Sequence, residues 1–377
     1  MADINRTSSY HSGGVLTIDR CALRANYNLL AKKSYPSKTA AVVKADAYGL
    51  GIETVVPALY AEGCRHFFVA HISEALVVRK HAADADVYVL NGLLPDTIEV
   101  YFNHQLSPVL GSHEELSDWQ QATKSKGQIP GAALHFDTGM NRLGFDFQDA
   151  SALAALIYSN KIGFPVSLVM SHFVESEIKH SAVTQKQVER FAEIRPLFDK
   201  IPASLCNSSG IFQCADSHYD LVRSGYALYG GHPLWSTTDN PMQPVIRLEA
   251  PIVQTRWIKT GESVGYGGFW HAKKPSRLAI LSIGYADGYP RGAQGTDEMA
   301  GGRVLIGGSL CPIIGRISMD LVIVDASDAP EHAVKRGAMA VIIGNELGID
   351  AVGDNASTIG YDILVSLGRR YARRIID

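Results

Sequence analysis

The sequence predicts an α/β chain in two parts, an N-terminal (β/α)8 barrel of the TIM type and a C-terminal, mainly antiparallel β domain. Three observations carry this. At 377 residues the chain exceeds what one hydrophobic core usually serves. From residue 40 to about 230, short apolar runs alternate with longer helical patterns, the signature of repeated βα units. After about residue 240 the texture turns to short β-branched runs punctuated by glycine pairs, which favours hairpins.

The runs read as strands are, in order, AAVVK (40–44), HFFVA (66–70), DVYVLN (86–91), SPVL (107–110), AALHFD (132–137), PVSLVMS (165–171), ASLCN (203–207) and YDLVRSG (219–225). Between them, IETVVPALYAEG, SEALVVRKHAA, SHEELSDWQQATK, ASALAALIYSN and KQVERFAEIRPLF place apolar residues three and four apart, as outer helices do. Eight such units suit a barrel with its site at the C-terminal ends of the strands. An open, doubly wound sheet is the competing topology, because strand number alone does not require closure. Beyond GGHPLW (230–235) and the turn-rich STTDNPMQP (236–244), the runs PIVQTRWI, RLAILSIG, GRVLIGGSLCPIIG, LVIVDA and AMAVIIG predict the β domain. The expected division is a barrel over 12–240 and a β domain over 241–377, with residues 1–11 a candidate for packing against the latter.

Composition narrows the function. A formal net charge of -3, with 46% hydrophobic and 19% charged residues, offers no bulk basicity to draw nucleic acid or anionic lipid. The four arginines of GRRYARRIID read as a solvated terminal face. Small-molecule chemistry is therefore expected, with neither nucleic acid nor membrane as a partner. Cys21, Cys64, Cys206, Cys214 and Cys311 are scattered, in neither CxxC nor zinc spacing, which points to reduced thiols, a cytoplasmic location and no metal centre. The opening MADINRTSSYHS lacks the apolar core of a secretory signal, and no stretch approaches about 18 uninterrupted apolar residues.

Chemically useful residues gather at the strand tips. The first run ends VVKADAYG, with Lys44 before a polar loop. Such a lysine either snorkels at the strand end or, desolvated against apolar neighbours, has a lowered pKa and forms an imine with an aldehyde cofactor. The seventh run ends at Asn207 and Ser208, and the eighth at Arg223, Gly225 and Tyr226. Loops at these two positions commonly bind phosphate in such barrels, although ordinary turn chemistry also accounts for Ser208, Gly225 and Tyr226. The fifth run leads through DTGMNRLG to Arg142 and the sixth ends at His172, residues that elsewhere serve as a surface cation and a core histidine. Five strands delivering polar groups to one rim argue for a site.

In order along the chain, AVVKADAYGLG (41–51), DTGMNRLG (137–144), SHF (171–173), NSSG (207–210), RSGYALYG (223–230), VGYGGFW (264–270), GYADGYPR (284–291) and GRISMD (315–320) resemble the successive motifs of the alanine racemases, over nearly the whole chain. The resemblance implies a pyridoxal 5'-phosphate (PLP)-dependent homodimer with shared active sites. It would interconvert L- and D-alanine by a two-base mechanism, for peptidoglycan supply or for catabolism. It makes Lys44 the Schiff-base lysine, acting on the D face. The second base is Tyr266, reaching the barrel mouth of the other subunit; read alone, Tyr266 is an aromatic in a glycine-rich turn. A phenol, with an ordinary pKa of about 10, needs cationic neighbours to act as a base, and His172 and Arg142 are the candidates.

By the same resemblance Tyr48, Ser208, Gly225, Tyr226 and Tyr361 hold the cofactor phosphate, His172 belongs to the cofactor site, and Arg223 faces the pyridine nitrogen. Arg142 and the Met319 N–H contact the substrate carboxylate, while Tyr285 and Asp320 lie at the entrance and dimer face. An arginine at the ring nitrogen weakens the electron sink, which disfavours a decarboxylase of the same architecture. A non-catalytic PLP-binding module is the other alternative, and the second domain with Tyr266 argues against it. Two departures stand out: Ser318 where the family often has cysteine, and His135 where many members have a lysine modified by CO2. Imidazole forms no stable carbamate, so a bound anion such as chloride, or ordered water beside a neutral imidazole, is expected to satisfy Arg142.

Overall fold

The computed structural model describes residues 13–124, 127–234 and 239–377. Strand β1 (Val15–Asp19) leads into helix α1 (Arg20–Ser34), whose first turn is capped by the Asp19 side chain accepting from Ala22 N at 2.9 Å. The βα units follow as β2 (Lys38–Val42), α2 (Ile52–Ala61), β3 (His66–Val69), α3 (Ile72–His81), β4 (Asp86–Val89), α4 (Ile98–His104), β5 (Ser107–Leu110), α5 (His113–Thr123) and β6 (Ala132–His135). They continue as α6 (Ala150–Tyr158), β7 (Val166–Met170), α7 (Ala182–Ile194), β8 (Ala203–Ser204), α8 (Ser208–Gln213) and β9 (Leu221–Ser224).

All eight strands are parallel, in the order β8-β7-β6-β5-β4-β3-β2-β9. Between β9 and β8, Asp220 N donates to Ala203 O at 3.1 Å and Arg223 N to Cys206 O at 2.9 Å, so the ring is bridged and the open-sheet alternative falls away. Helices cover the sheet outside and side chains fill it inside, which is why the strands read as continuous apolar runs rather than alternating ones. Their centres, from Ala40 and Ala41 through Phe67, Phe68 and Leu134, are fully buried.

The second sheet is built on β10 (Ile246–Ile258). A hairpin of β11 (Ser263–Val264) and β12 (Trp270–His271) follows, then β13 (Ser276–Leu281), β14 (Arg303–Ile306), β15 (Ser309–Pro312), β16 (Val322–Asp325) and β17 (Met339–Ile343). Helices α9 (Ile349–Asn355) and α10 (Gly360–Val365) precede the final strand β18 (Ala372–Ile376). The order is β15-β14-β17-β10-β1-β18, with β13 and β16 on the far half of β10. A bulge between Ile252 and Gln254 bends β10 where it exchanges β17 for β13 as partner. Pairing is antiparallel except between β1 and β18. Strand β1, inside the range expected for the barrel, is thus hydrogen-bonded into the second sheet. The proposed packing of residues 1–11 lies outside the described residues. Among the described residues no helix is long and apolar enough to cross a membrane.

Candidate active site

A cavity of about 560 Å³ opens at the C-terminal ends of the barrel strands, within the range of small-molecule sites. Lys44, Arg142, His172 and Arg223 line it, together with His135, and with Tyr48, Ser208, Gly225, Tyr226 and Tyr361 on the side of the last two strands. No aspartate or glutamate is among the lining residues, so the cavity is positive. It is shaped for an anion.

Lys44 stands just past β2. After it, Ala45, Asp46, Ala47 and Tyr48 form a left-handed turn with φ of 54, 52, 55 and 53°, without a glycine until Gly49. Left-handed residues bearing a Cβ cost roughly 1–2 kcal/mol each, so this turn must be held by its surroundings. It carries Lys44 and Tyr48 to one cavity. Desolvation, then the charge of Arg142, lowers the pKa of Lys44, with Glu74 opposing. Among the described residues Nζ makes no hydrogen bond or ion pair.

Arg223 is 4% exposed and meets no carboxylate. Nη1 donates to Ser204 O (3.0 Å) and Oγ (2.6 Å), and Nη2 donates to Ser171 O (2.6 Å) and His172 Nδ1 (3.3 Å). Because a guanidinium only donates, His172 must accept at Nδ1 and carry its proton on Nε2. Burial lowers Arg223 to about 10, still charged at neutral pH. With both Nη groups engaged, Nε–H is the donor left for the cavity. Burial, then Arg223, holds His172 far below its ordinary value, and the same two causes bring His135 from 6.5 to about 4.

Arg142 is placed by the Asp137 carboxylate, which accepts from the N–H groups of Gly139, Met140 and Asn141 at 2.7–2.8 Å and ties the loop into a tight turn. On the opposite wall, Ser208 Oγ accepts from Gly225 N (2.9 Å) and Ala227 N (3.3 Å), leaving Tyr226 N–H unspent. A Cβ on Gly225 would lie 2.7 Å from the Tyr48 hydroxyl, so this close approach needs glycine. The Tyr226 hydroxyl donates to Asp350 Oδ1 at 2.6 Å, and its ring stacks on Tyr361 at 3.8 Å. Tyr226 therefore offers the cavity its backbone rather than its hydroxyl. Asp350, which seats α9 of the second domain on the barrel rim, went unmarked in the sequence because it falls in no strand tip or motif.

The remaining candidates stand elsewhere. Tyr266 is 71% exposed in the turn between β11 and β12, where Gly265, Gly267 and Gly268 all have positive φ. Tyr285, Met319 and Asp320 occupy two adjoining loops, joined by Tyr285 N donating to Ser318 O (3.2 Å) and Ala286 N to Met319 O (3.0 Å). Arg370 bridges Asp320 (2.8 Å) and the buried Asp287 (3.1 Å) beneath them. None of these four lines the cavity of its own chain. Tyr266, Phe269, Tyr285, Met319 and Leu321 leave this part of the second domain apolar and exposed. Among the described residues no group of three or more histidines, cysteines or carboxylates could hold a metal ion.

Residues 18–233 match the family description "Alanine racemase, N-terminal domain", and residues 245–375 match "Alanine racemase, C-terminal domain". An alanine racemase of Methylobacterium nodulans is 48% identical over 371 residues, 98% of each chain. A biosynthetic alanine racemase of Agrobacterium fabrum is 40% identical over 99% of this chain and 96% of its own. The crystal structure of alanine racemase from Bartonella henselae with covalently bound pyridoxal phosphate superposes with a TM-score of 0.90 at 36% identity, covering 97% of this chain and all of that one.

Proposed function

The chain belongs to the alanine racemase family, and from that premise we propose how its residues interconvert L- and D-alanine. PLP is its cofactor, and when bound it withdraws electrons from the α-carbon of the attached amino acid, making the α-proton removable. Lys44 holds it. Freed by substrate, Nζ takes or returns the α-proton on the D face, and its lowered pKa enlarges the unprotonated fraction at neutral pH. Arg223 directs Nε–H at the pyridine nitrogen; its fixed positive charge disfavours protonation there, and the α-proton is returned before other bonds break. The hydroxyls of Tyr48, Ser208 and Tyr361 and the N–H of Tyr226 receive the phosphate, in room that Gly225 leaves. His172, neutral and held by Arg223, borders the cofactor. Arg142 receives the substrate carboxylate.

The other face needs its own base, and one lysine reaches only one face. We assign it to Tyr266 of a second copy, in a homodimer that lays the exposed apolar patch of each β domain over its partner's barrel mouth. Met319 N–H then adds a carboxylate contact, with Tyr285 and Asp320 at the entrance. Arg142 and Arg223, with no carboxylate in the cavity, favour a phenol's anion, which supports this assignment; His172, being neutral, is not one of the cationic neighbours expected for it. The division near residue 240 then separates a PLP-binding barrel from a domain that completes the neighbour's site. All five cysteines are free, which supports a reducing compartment, and we place the enzyme in the cytoplasm.

The observation that carries the reading is the convergence of an unpaired lysine and a carboxylate-free buried arginine on one positive cavity. Borohydride reduction of the holoenzyme should fix a pyridoxyl group on Lys44, read from the mass of its peptide. A label on a different lysine overturns the assignment.

A further inference from the structure

The strained turn after Lys44 is held from outside. Glu74, in the first turn of α3, accepts from Asp46 N through Oε1 (3.3 Å) and from Ala70 N (2.8 Å) and His71 N (3.1 Å) through Oε2. One oxygen thus grips the turn that follows Lys44, and the other grips the chain leaving β3. On the far side the Asp46 carboxylate accepts from Ile52 N (2.9 Å), and Arg373 of β18 donates to Gly49 O (2.9 Å). Both of those bonds lie outside the cavity. Glu74 is the group that ties the tips of two neighbouring barrel strands together beside the lysine.

We propose that Glu74 is a positioning residue for Lys44: its carboxylate clamps the left-handed turn to the end of β3 and so fixes where Nζ stands at the barrel mouth. The clamp uses both oxygens, one on each segment. Glutamine offers one acceptor oxygen and cannot serve both segments. Aspartate keeps the charge but falls one methylene short. The charged groups around Nζ are Arg142 from the loop after β6 and Glu74 from α3, with the neutral imidazole of His172 at the end of β7 beside them. Glu74 is the anion that opposes Arg142 there.

The proposal rests on Lys44 being the cofactor lysine and the D-face base; the borohydride label tests the first, and the α-deuterium loss from D-alanine in the unaltered enzyme provides the reference for the second. The experiment uses holoenzyme carrying Glu74→Gln or Glu74→Asp, and follows early loss of α-deuterium from D- and L-alanine and the pH dependence of kcat. Both variants should lose D-alanine exchange by about tenfold, with exchange from L-alanine and the KM changed less than about twofold. In Glu74→Gln the acidic limb of the kcat profile should also move to lower pH, since the lysine loses its neighbouring negative charge; in Glu74→Asp it should stay. Equal loss from both enantiomers, or an unmoved acidic limb in Glu74→Gln, overturns the proposal. If Glu74→Gln does not fold, the face selectivity of Glu74→Asp decides it.

Discussion

Arg142 brings its charge into the cavity without an acceptor among the described residues, and the neighbouring imidazole of His135 carries no compensating charge. Exposed at the cavity mouth and without a carboxylate partner, this guanidinium is open to an anion from solution. Activity should therefore be indifferent to stripping dissolved CO2, and should fall when chloride is replaced by a bulky organic anion at equal ionic strength. Reversible activation by CO2 contradicts this. The same histidine sets an acid limit on the fold. Below 6.5 the unfolded chain takes up a proton that native His135 refuses until about pH 4, so stability present above 6.5 drains away across that interval. His135→Gln should flatten the slope of Tm against pH there; an unaltered slope contradicts the assignment. Lys44, His172 and Arg223 are legible in the sequence because each stands at the end of an apolar run, and Arg142 because it follows the fifth run in a glycine-containing loop. Glu74 is not, because SEALVVRKHAA reads as one more outer helix and its carboxylate acts only through a turn three-dimensionally adjacent to it.

Among the elements, the barrel strands stand where apolar runs place them, while α1, α4 and α8 of the barrel and α9 and α10 of the second domain carry no such signal. Helix α1 precedes the first barrel strand, and its role depends on contacts about two hundred positions away. Buried Asn26 donates to Leu228 O (3.1 Å) and Gln243 O (2.8 Å) and accepts from Gln243 N (2.8 Å), pinning α1 to the passage between barrel and β domain. Asn26→Leu strands those backbone groups and should cost roughly 1–3 kcal/mol, measured by denaturant unfolding. A loss under about 0.5 kcal/mol would mean that water satisfies them. The left-handed turn is hidden for a different reason: Ala-Asp-Ala-Tyr has the composition of an ordinary helix start, and only the clamps around it reverse its hand.

For the whole molecule, the separation between the cavity and Tyr266 is the decisive geometry. If each site draws its lysine from one copy and its tyrosine from the other, Lys44→Ala and Tyr266→Phe should complement. Co-refolded in equal amounts, half the dimers are mixed and each has one intact site, giving about a quarter of unaltered activity. Mixtures no more active than the separate variants would place both bases in one chain.

The pairing of β1 with β10 and β18 has a consequence in time. Val15 lies opposite Glu249 on one side and Ala372 on the other. On a ribosome β1 therefore emerges ahead of the barrel and waits, both edges bare, through its synthesis; even after β10 arrives, one edge stays open until β18 is made. The barrel strands need no such delay, since each finds a neighbour within the next unit. Nascent chains halted before β18 should thus hold a protease-resistant barrel beside a cleavable leading strand, and should be the species that chaperones retain.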